Sequence, residues 1–375
     1  MKRVLLSFVA FLFATTNIAA EGEPPSQLAD LLGADADAGF ARALSAREFV
    51  FPADHGPHVT FRNEWWYVTG NLEDDLDDDE SRRFGFELTF FRFALAPTTI
   101  ESTSQWRTNQ VYIAHLALTD VEDEQFHVAQ RYARGAMGLA GAKAAPLQVW
   151  VDDWSIVENP DSGGWQLKAG NDDFAIDVEL QALRAPVLNG IAGLSQKSAD
   201  RNNASYYYSI TRLGTQGKIR LGQRDYEVSG LSWLDREWST SALAADQVGW
   251  DWFALQLDDG SDLMFYSLRK TDGSQDSASA GTFVSANGSS QHLDANDVEI
   301  AVLDNWDSPE GGSYPSKWRL SAPRLGLDLT VTPVLPDQEL FTTVRYWEGA
   351  VDVEGSNNGA ALSGRGYVEL AGYAE

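Results

Sequence analysis

The hydrophobic and polar positions of this chain follow the pattern of short β-strands. Residues 84–93 and 111–118 are aromatic and β-branched runs of ordinary strand length, each bounded by turn-forming residues. No long segment with the 3.6-residue hydrophobic period of a helix interrupts either half of the chain. From Trp65 onward, the pattern therefore predicts an all-β protein.

The chain also repeats itself in order. The matched positions are 154 with 306, 165–169 with 318–322, 176–180 with 327–331, 64–72 with 250–257, and 224–230 with 365–372. Repeats of this length indicate duplicated domains, and antiparallel units of short strands favour barrels or sandwiches. We therefore predict an internal duplication with a leader at 21–50, a first domain at 51–235 and a second at 236–375.

The N-terminus has the features of a cleavable signal peptide. Lys2 and Arg3 precede an apolar run at 4–14, and small residues end the segment at Ala20. The apolar run is too short to span a membrane, and no later run reaches about 18 residues. We expect cleavage after Ala20, a mature chain without an integral membrane segment, and a periplasmic or secreted location.

Charge and composition exclude several functions. The formal net charge of -27 argues against nucleic acid as a partner, because binding it requires clustered Lys and Arg. The chain has no cysteine, which excludes disulfides and a thiol nucleophile. It also lacks a Gly-x-Ser-x-Gly elbow, a phosphate loop and dinucleotide-binding glycines. No sequence motif therefore supports hydrolase activity, and no cofactor is expected.

Carboxylates alternate with indoles in one segment, residues 228–239, which is followed closely by residues 249–252. Buried acids need partners or a shifted pKa, so this mixture predicts a lined cavity. Asp235 and Glu237 would face the same side of a strand, and one of two paired acids can stay protonated as a donor. Alternatively, an arginine such as Arg236 pairs with these acids at a domain junction.

An earlier block, residues 55–67, has the same mixed character. Glu64 is either a second acid or a structural group at the start of the first domain. His115 lies in an apolar strand, where a lone histidine is either a hydrogen-bonded core residue or a catalytic one. His55 and His58 near Glu64 form only a weak metal motif without a third ligand, so no metal is predicted.

These blocks together resemble a known family. The segments that carry the resemblance are residues 55–58, 63–67, 114–120, 233–239, 250–253 and 346–351. They look like the carotenoid 1,2-hydratase (hydroxyneurosporene synthase) family, and more closely its exported bacterial branch, often labelled a predicted secreted hydrolase. The resemblance implies two lipocalin-like β-barrels and a long apolar ligand. Carotenoid hydratases of this family carry a histidine directly after the central aspartate, where this chain has Arg236.

Two functions follow as hypotheses. The first is an exported hydratase-like carbon–oxygen lyase that adds water to a C=C bond of an isoprenoid, polyene or lipid. The second is a non-catalytic periplasmic carrier of a hydrophobic small molecule that works with ABC transporter components. The acid–base candidates are Asp235, Glu237, His115 and Glu64. The candidate ligand-binding residues are Trp65, Trp66, Tyr67, Arg236, Trp238, Trp250, Trp252, Tyr346 and Trp347.

Overall fold

The computed structural model describes residues 26–27, 39–74, 81–98, 103–240 and 243–374. The predicted signal peptide lies outside these residues, as does much of the predicted leader. A short strand, β1 (Ser26–Gln27), comes first among the described strands. Two 3-10 turns, Ala53–His55 and Pro323–Leu325, are the helical elements of the described part.

The first half of the chain forms a 13-stranded antiparallel sheet. Its strands are β2 (Asn63–Asp74), β3 (Arg83–Ala94), β4 (Gln110–Asp120), β5 (Gln125–Arg134), β6 (Ala140–Ala144), β7 (Leu147–Val151), β8 (Trp154–Glu158), β9 (Trp165–Gly170), β10 (Phe174–Ala182), β11 (Val187–Leu188), β12 (Leu194–Gln196), β13 (Ala204–Leu221) and β14 (Arg224–Ser239). The main strand order is β5-β4-β3-β2-β14-β13-β10-β9-β8-β7-β6. The sheet curves until β5 approaches β7, which nearly closes a barrel.

The second half supplies ten strands of an 11-stranded sheet, and β1 is the eleventh, pairing in parallel with β23. Its other strands are β15 (Gln247–Leu257), β16 (Asp262–Lys270), β17 (Ala280–Val284), β18 (Ser290–Asp294), β19 (Glu299–Asp307), β20 (Ser313–Ala322), β21 (Leu327–Pro333), β22 (Glu339–Phe341), β23 (Val344–Asn357) and β24 (Ala360–Ala371). The main strand order is β18-β17-β16-β15-β24-β23-β21-β20-β19. The predicted all-β class is confirmed.

Strand order and register confirm the duplication. The order β5-β4-β3-β2-β14-β13-β10-β9-β8 in the first sheet matches β18-β17-β16-β15-β24-β23-β21-β20-β19 in the second. Trp165 pairs with Leu180, and Trp318 pairs in the same way with Val331. The same core positions therefore recur in both sheets, as the repeated segments 165–169 and 318–322 predicted.

Two of the predicted matches are out of register. Trp154 begins its strand, whereas Trp306 lies beside the turn of its hairpin opposite Tyr314. In the last strands, Gly230 pairs with Leu72 and Gly364 pairs with Leu257, so Gly230 corresponds to Gly364. The segment 224–230 therefore matches residues just before 365–372, not that segment itself.

The boundary between the domains was predicted at 235/236, which falls inside β14. This strand continues to Ser239, and the second sheet begins at Gln247. Because β14 pairs with β2 over its whole C-terminal half, residues up to Ser239 belong to the first sheet.

Each sheet surrounds its own apolar core, and a third core lies between the sheets. Trp66 and Leu234 point into the first barrel, while Phe253 and Val368 point into the second. Alternate residues of the same four strands point out of the barrels and pack against each other. The core between the barrels contains Tyr67, Tyr207, Trp233, Trp252, Ala254, Met264, Tyr266, Leu268, Ala350 and Tyr367.

Polar contacts also join the two barrels. The Arg212 guanidinium lies 2.8 Å from the Asp262 carboxylate, and the Gln256 amide donates to the Thr211 carbonyl at 2.6 Å. No helix among the described residues is long and apolar enough to cross a membrane.

Candidate functional site

A cavity of about 80 Å³ lies between the two barrels. Its walls combine aromatic rings with ionisable groups from both halves of the chain. The lining residues are Trp65, Tyr67, Phe91, Lys197, Tyr207, Asp235, Glu237, Ser239, Leu243, Trp250, Trp252, Tyr266, Leu268, Glu348 and Glu369. The lining contains both indoles and acids, as the sequence predicted for a cavity near residues 228–252.

Strand alternation determines which predicted residues reach the cavity. On β14, Asp235 and Glu237 face it together, and their cross-strand partners on β2 are Tyr67 and Trp65. On the second barrel, Trp250 and Trp252 of β15 face the same space. These six predicted residues therefore converge, because every second side chain of a strand points to the same face.

Asp235 is held by hydrogen bonds, and its bonded partners among the described residues are all uncharged. Its Oδ1 atom accepts from Ser209 Oγ at 2.5 Å and from Trp233 Nε1 at 2.7 Å. The Tyr207 hydroxyl donates to Oδ2, and the Trp252 indole donates to Tyr207 at 3.1 Å. Burial raises the pKa of Asp235 to about 7, although these donors favour its ionised form.

Glu237 has an ion-pair partner that the sequence analysis did not name. The Lys197 ammonium lies 2.9 Å from its carboxylate, and both side chains are largely buried. Burial lowers the pKa of Lys197, but attraction to Glu237, together with Tyr266 and Asp235, more than offsets this, so the pKa lies above its ordinary value. The alternative prediction, that Arg236 pairs with Glu237, is therefore wrong for this acid: its partner is Lys197.

Glu369 is the main cavity acid that the sequence analysis missed. It lies on β24 opposite Trp252 and is partly exposed to the cavity. Burial raises its pKa to about 8. Repulsion from Asp235 adds to this increase, whereas a hydrogen bond from Trp250 opposes it. Glu369 is therefore mostly protonated at neutral pH and can donate a proton.

Glu64 and Arg236 lie on the other face of the same strands, inside the first barrel. Both are fully buried, and Glu64 accepts hydrogen bonds from Arg92 and Arg236. The attraction of these guanidinium groups, with a hydrogen bond from His58, outweighs burial and holds the pKa of Glu64 far below its ordinary value. The position at which the chain departs from the histidine of carotenoid hydratases therefore faces the barrel interior and not the cavity.

Three predicted indoles also lie outside the cavity. Trp66 donates to the His55 carbonyl at 2.8 Å within the first core, and Trp238 stacks on His58 with 3.6 Å between ring centroids. Trp347 lies in the second core and donates to the Pro336 carbonyl at 2.9 Å. These side chains fill barrels, since they alternate with the cavity-facing residues.

His115 and Tyr346 lie between the barrels but do not line the cavity. His115 Nδ1 is 2.7 Å from the Tyr346 hydroxyl, and burial lowers the pKa of His115 to about 3. His115 is thus neutral at physiological pH and does not act as a cationic acid.

The two histidines of the weak metal motif have separate partners. His55 Nδ1 lies 2.6 Å from the Tyr208 hydroxyl, whereas His58 Nε2 lies 3.1 Å from Asp54. Within the described ranges, no group of three or more His, Asp or Glu side chains has an arrangement that holds a metal ion.

The sequence analysis missed several residues around the cavity: Lys197, Ser209, Tyr207, Trp233, Tyr266, Glu348 and Glu369. The repeat contained the signal for Glu369. When Gly230 is aligned to Gly364, Asp235 aligns to Glu369, and the repeat then identifies Glu369 as the equivalent acid. Lys197 follows β12 in an irregular segment, where no strand pattern indicates its position.

A family model described as AttH-like matches residues 42–373. The chain belongs to the AttH-like family. A crystal structure of a protein from Nitrosomonas europaea assigned as an AttH is 34% identical, with 90% of this chain and 100% of that chain covered and a TM-score of 0.79. Comparison with curated protein sequences gives no match.

The AttH-like fold also occurs in a protein named as a hydratase. The crystal structure of kievitone hydratase from Nectria haematococca covers 94% of this chain and 99% of its own, with a TM-score of 0.68 and 14% identity. At that identity the likeness shows a shared fold. The two lipocalin-like barrels expected from the family resemblance agree with this architecture.

Proposed function

We propose that this protein is a hydratase-like lyase that adds water to a C=C bond of a hydrophobic ligand in the cavity between its barrels. The observation that carries the proposal is that Asp235 and Glu369, one from each barrel, line the same cavity. Raised pKa values place one acid near half ionisation and the other mostly protonated at neutral pH. Hydration needs such a proton donor and such a proton acceptor.

The roles follow from the hydrogen bonds. Glu369 donates its proton to one alkene carbon, the π bond breaks, and a cation forms at the other carbon. A water molecule attacks that carbon, a C–O bond forms, and Asp235 accepts the released proton. Asp235 suits the second role because Tyr207, Ser209 and Trp233 all donate to its carboxylate and orient it.

The aromatic walls favour the cationic intermediate. The rings of Trp65, Trp250 and Trp252 line the cavity together with four carboxyl groups. The face of each ring stabilises a nearby cation by roughly 0.5 to 2 kcal/mol. The wall thus combines an apolar surface for an alkene with negative potential where positive charge develops.

The ligand class is proposed from the cavity and the family together. A cavity of about 80 Å³ holds the reacting segment of an isoprenoid, polyene or lipid and not its whole length. The kievitone hydratase fold likeness agrees with water addition as the reaction type. We also propose that the protein is exported with cleavage after Ala20, a step that N-terminal sequencing of the mature protein tests.

The experiment is incubation with isoprenoid alkenes in ¹⁸O-labelled water. Geraniol, farnesol and an acyclic carotenoid serve as probes, and mass spectrometry measures incorporation of one oxygen. We expect labelled alcohol with the wild type, at least about a hundredfold less with Glu369→Gln, and wild-type yield with the exposed control Glu299→Gln. Retention of a probe without any labelled product, in wild type and Glu369→Gln alike, contradicts hydration and supports the carrier hypothesis.

A further inference from the structure

A second acidic cluster lies behind the cavity wall, between the barrels. Glu348 of β23 is the cross-strand partner of Glu369 on β24, and Glu87 of β3 faces them from the first barrel. Glu87 and Glu348 are both fully buried. Three acids from two barrels are thus brought together, although only Glu348 and Glu369 line the cavity.

Hydrogen bonding within this cluster is incomplete. In the part of the chain that the structure describes, neither carboxyl oxygen of Glu87 has a partner in good hydrogen-bond geometry, although the Thr89 hydroxyl lies nearby, and Oε1 of Glu348 has none. The other Glu348 oxygen accepts from the Tyr67 hydroxyl at 2.7 Å. A buried carboxylate without a partner is costly, so Glu87 is stable there only as a neutral acid.

Within the described ranges, no cationic side chain is bonded to Glu87 or Glu348, and Lys197, which lines the same cavity, is paired with Glu237. The titratable groups that interact with Glu87 and Glu348 are Tyr67, Tyr346, Tyr367 and Glu369, and His115 is bonded to Tyr346. Burial and then repulsion between the carboxyl groups raise the pKa of Glu348, and burial likewise raises that of Glu87. His115 is neutral, since burial lowers its pKa to about 3. Burial and mutual repulsion therefore favour the protonated forms of Glu87 and Glu348.

We propose that Glu87, Glu348 and Glu369 form one proton relay, in which the two buried acids return a proton to Glu369 after it has protonated the ligand. The relay rests on the proposed hydration. The geometry that supports it is the Glu348–Glu369 cross-strand pair and the unpartnered Glu87 beside them.

Each transfer balances. The O–H bond of Glu369 breaks and its proton moves to the ligand carbon, after which the Glu348 proton moves to the Glu369 carboxylate and the Glu87 proton to Glu348. The proton that Asp235 takes from the attacking water returns through Tyr67, the cross-strand neighbour of Asp235. The Tyr67 hydroxyl accepts it and passes its own proton to Glu348, to which it is already bonded, while Glu348 returns a proton to the Glu87 carboxylate. One water is consumed and no net proton.

The first test is infrared spectroscopy of the whole protein in H₂O and D₂O, which needs no substrate. We expect a carbonyl stretch from protonated carboxyl groups at neutral pH, with Glu87→Gln and Glu348→Gln each removing part of it. Glu299→Gln, at an exposed strand position, is the control and leaves the band unchanged. A band that neither variant reduces overturns the relay, as does a stoichiometric metal ion retained after purification.

The second test separates the return of a proton to Glu369 from the first transfer of a proton to the ligand. In rapid-mixing experiments with an alkene that the wild type hydrates, Glu87→Gln and Tyr67→Phe are expected to slow later turnovers at least about tenfold more than the first turnover. Tyr67→Phe removes only a hydroxyl, so it keeps the test available if Glu87→Gln does not fold. Equal slowing of first and later turnovers overturns the relay. Absence of turnover in the wild type overturns the hydration proposal instead, while the infrared result still decides where the protons reside.

Discussion

Asp235 and Glu369 hold equivalent positions in the two barrels, and their carboxyl groups line the same cavity. Asp235 is the cross-strand partner of Tyr67 on β2, and Glu369 is the cross-strand partner of Trp252 on β15. The duplication thus placed one acid from each copy at a shared interface. Their hydrogen bonds differ, since Asp235 accepts from three side chains and Glu369 from Trp250. Equivalent positions therefore take different roles.

The first prediction is a bell-shaped dependence of kcat/KM on pH. Activity needs Asp235 ionised, which occurs above about pH 7, and Glu369 protonated, which occurs below about pH 8. The maximum is expected between these values, and Asp235→Asn and Glu369→Gln should each reduce it at least about a hundredfold. Initial rates with a hydrated alkene measure the profile. A rate that rises steadily to high pH contradicts these assignments.

Removal of one hydrogen-bond donor is expected to move the acid limb of that profile. The Tyr207 hydroxyl donates to Asp235 and lowers its pKa. In Tyr207→Phe, the pKa of Asp235 should therefore rise and the acid limb should shift to higher pH, while the alkaline limb changes less. Ser209→Ala provides a matched comparison, since Ser209 donates to the other oxygen of Asp235. A shift to lower pH in both variants contradicts the prediction.

Glu237 and Lys197 are expected to behave as a buried ion pair. Loss of one partner from such a pair costs on the order of 3 to 5 kcal/mol, because the other charge remains buried. Glu237→Gln should therefore destabilise the protein strongly, and the double variant Glu237→Gln with Lys197→Met should recover much of the loss. Urea unfolding of the two single variants and the double variant measures this coupling. Additive losses in the double variant contradict it.

The sequence was sufficient for the fold because aromatic alternation and the repeat both reflect barrel packing. Trp165 and Trp318 occupy matching core positions, and such a match is visible as a spacing of large apolar residues. The same alternation correctly placed Asp235 and Glu237 on one face. The same alternation implies that Glu64 and Arg236 point to the face opposite that of the residues next to them in sequence. Treating each segment as one block hid this difference.

The missed parts of the site depend on contacts that run between strands distant in sequence. Glu369 stands in an ordinary strand pattern and is identified only with the correct register of the repeat. Lys197 reaches Glu237 from an irregular segment, and Tyr207 reaches Asp235 from the neighbouring strand β13. Tertiary contacts determine these partners, and local spacing along the chain does not encode such contacts.

Glu64 is expected to support the first barrel and not the chemistry. Its carboxylate is bonded to Arg92 and Arg236 within a fully buried cluster. Glu64→Gln leaves two buried guanidinium groups without their counter-charge, which should cost about 3 to 5 kcal/mol of stability. The pH limbs of kcat/KM should stay in place for the folded variant. Wild-type stability combined with a shifted pH profile would assign Glu64 to the site instead.

The last prediction concerns stability as a function of pH. Burial raises the pKa of Glu369 from 4.5 to about 8 in the folded protein. Between these values the folded state keeps a proton that the unfolded state has released, so stability falls as pH rises through this range. Glu369→Gln removes this contribution and also the repulsion that Glu369 exerts on Glu348.

The variant and the wild type should therefore be nearest in stability at low pH and diverge as pH increases. Above about pH 8, Glu369→Gln should gain at least about 1.4 kcal/mol relative to its difference at about pH 4.5, the value of one pKa unit. Urea unfolding across this range measures both curves, with Glu299→Gln as the exposed control that should follow the wild type. Parallel curves for Glu369→Gln and wild type would mean that Glu369 is already ionised in the folded protein, and the proton donor for the cavity would then have to be sought at Asp235.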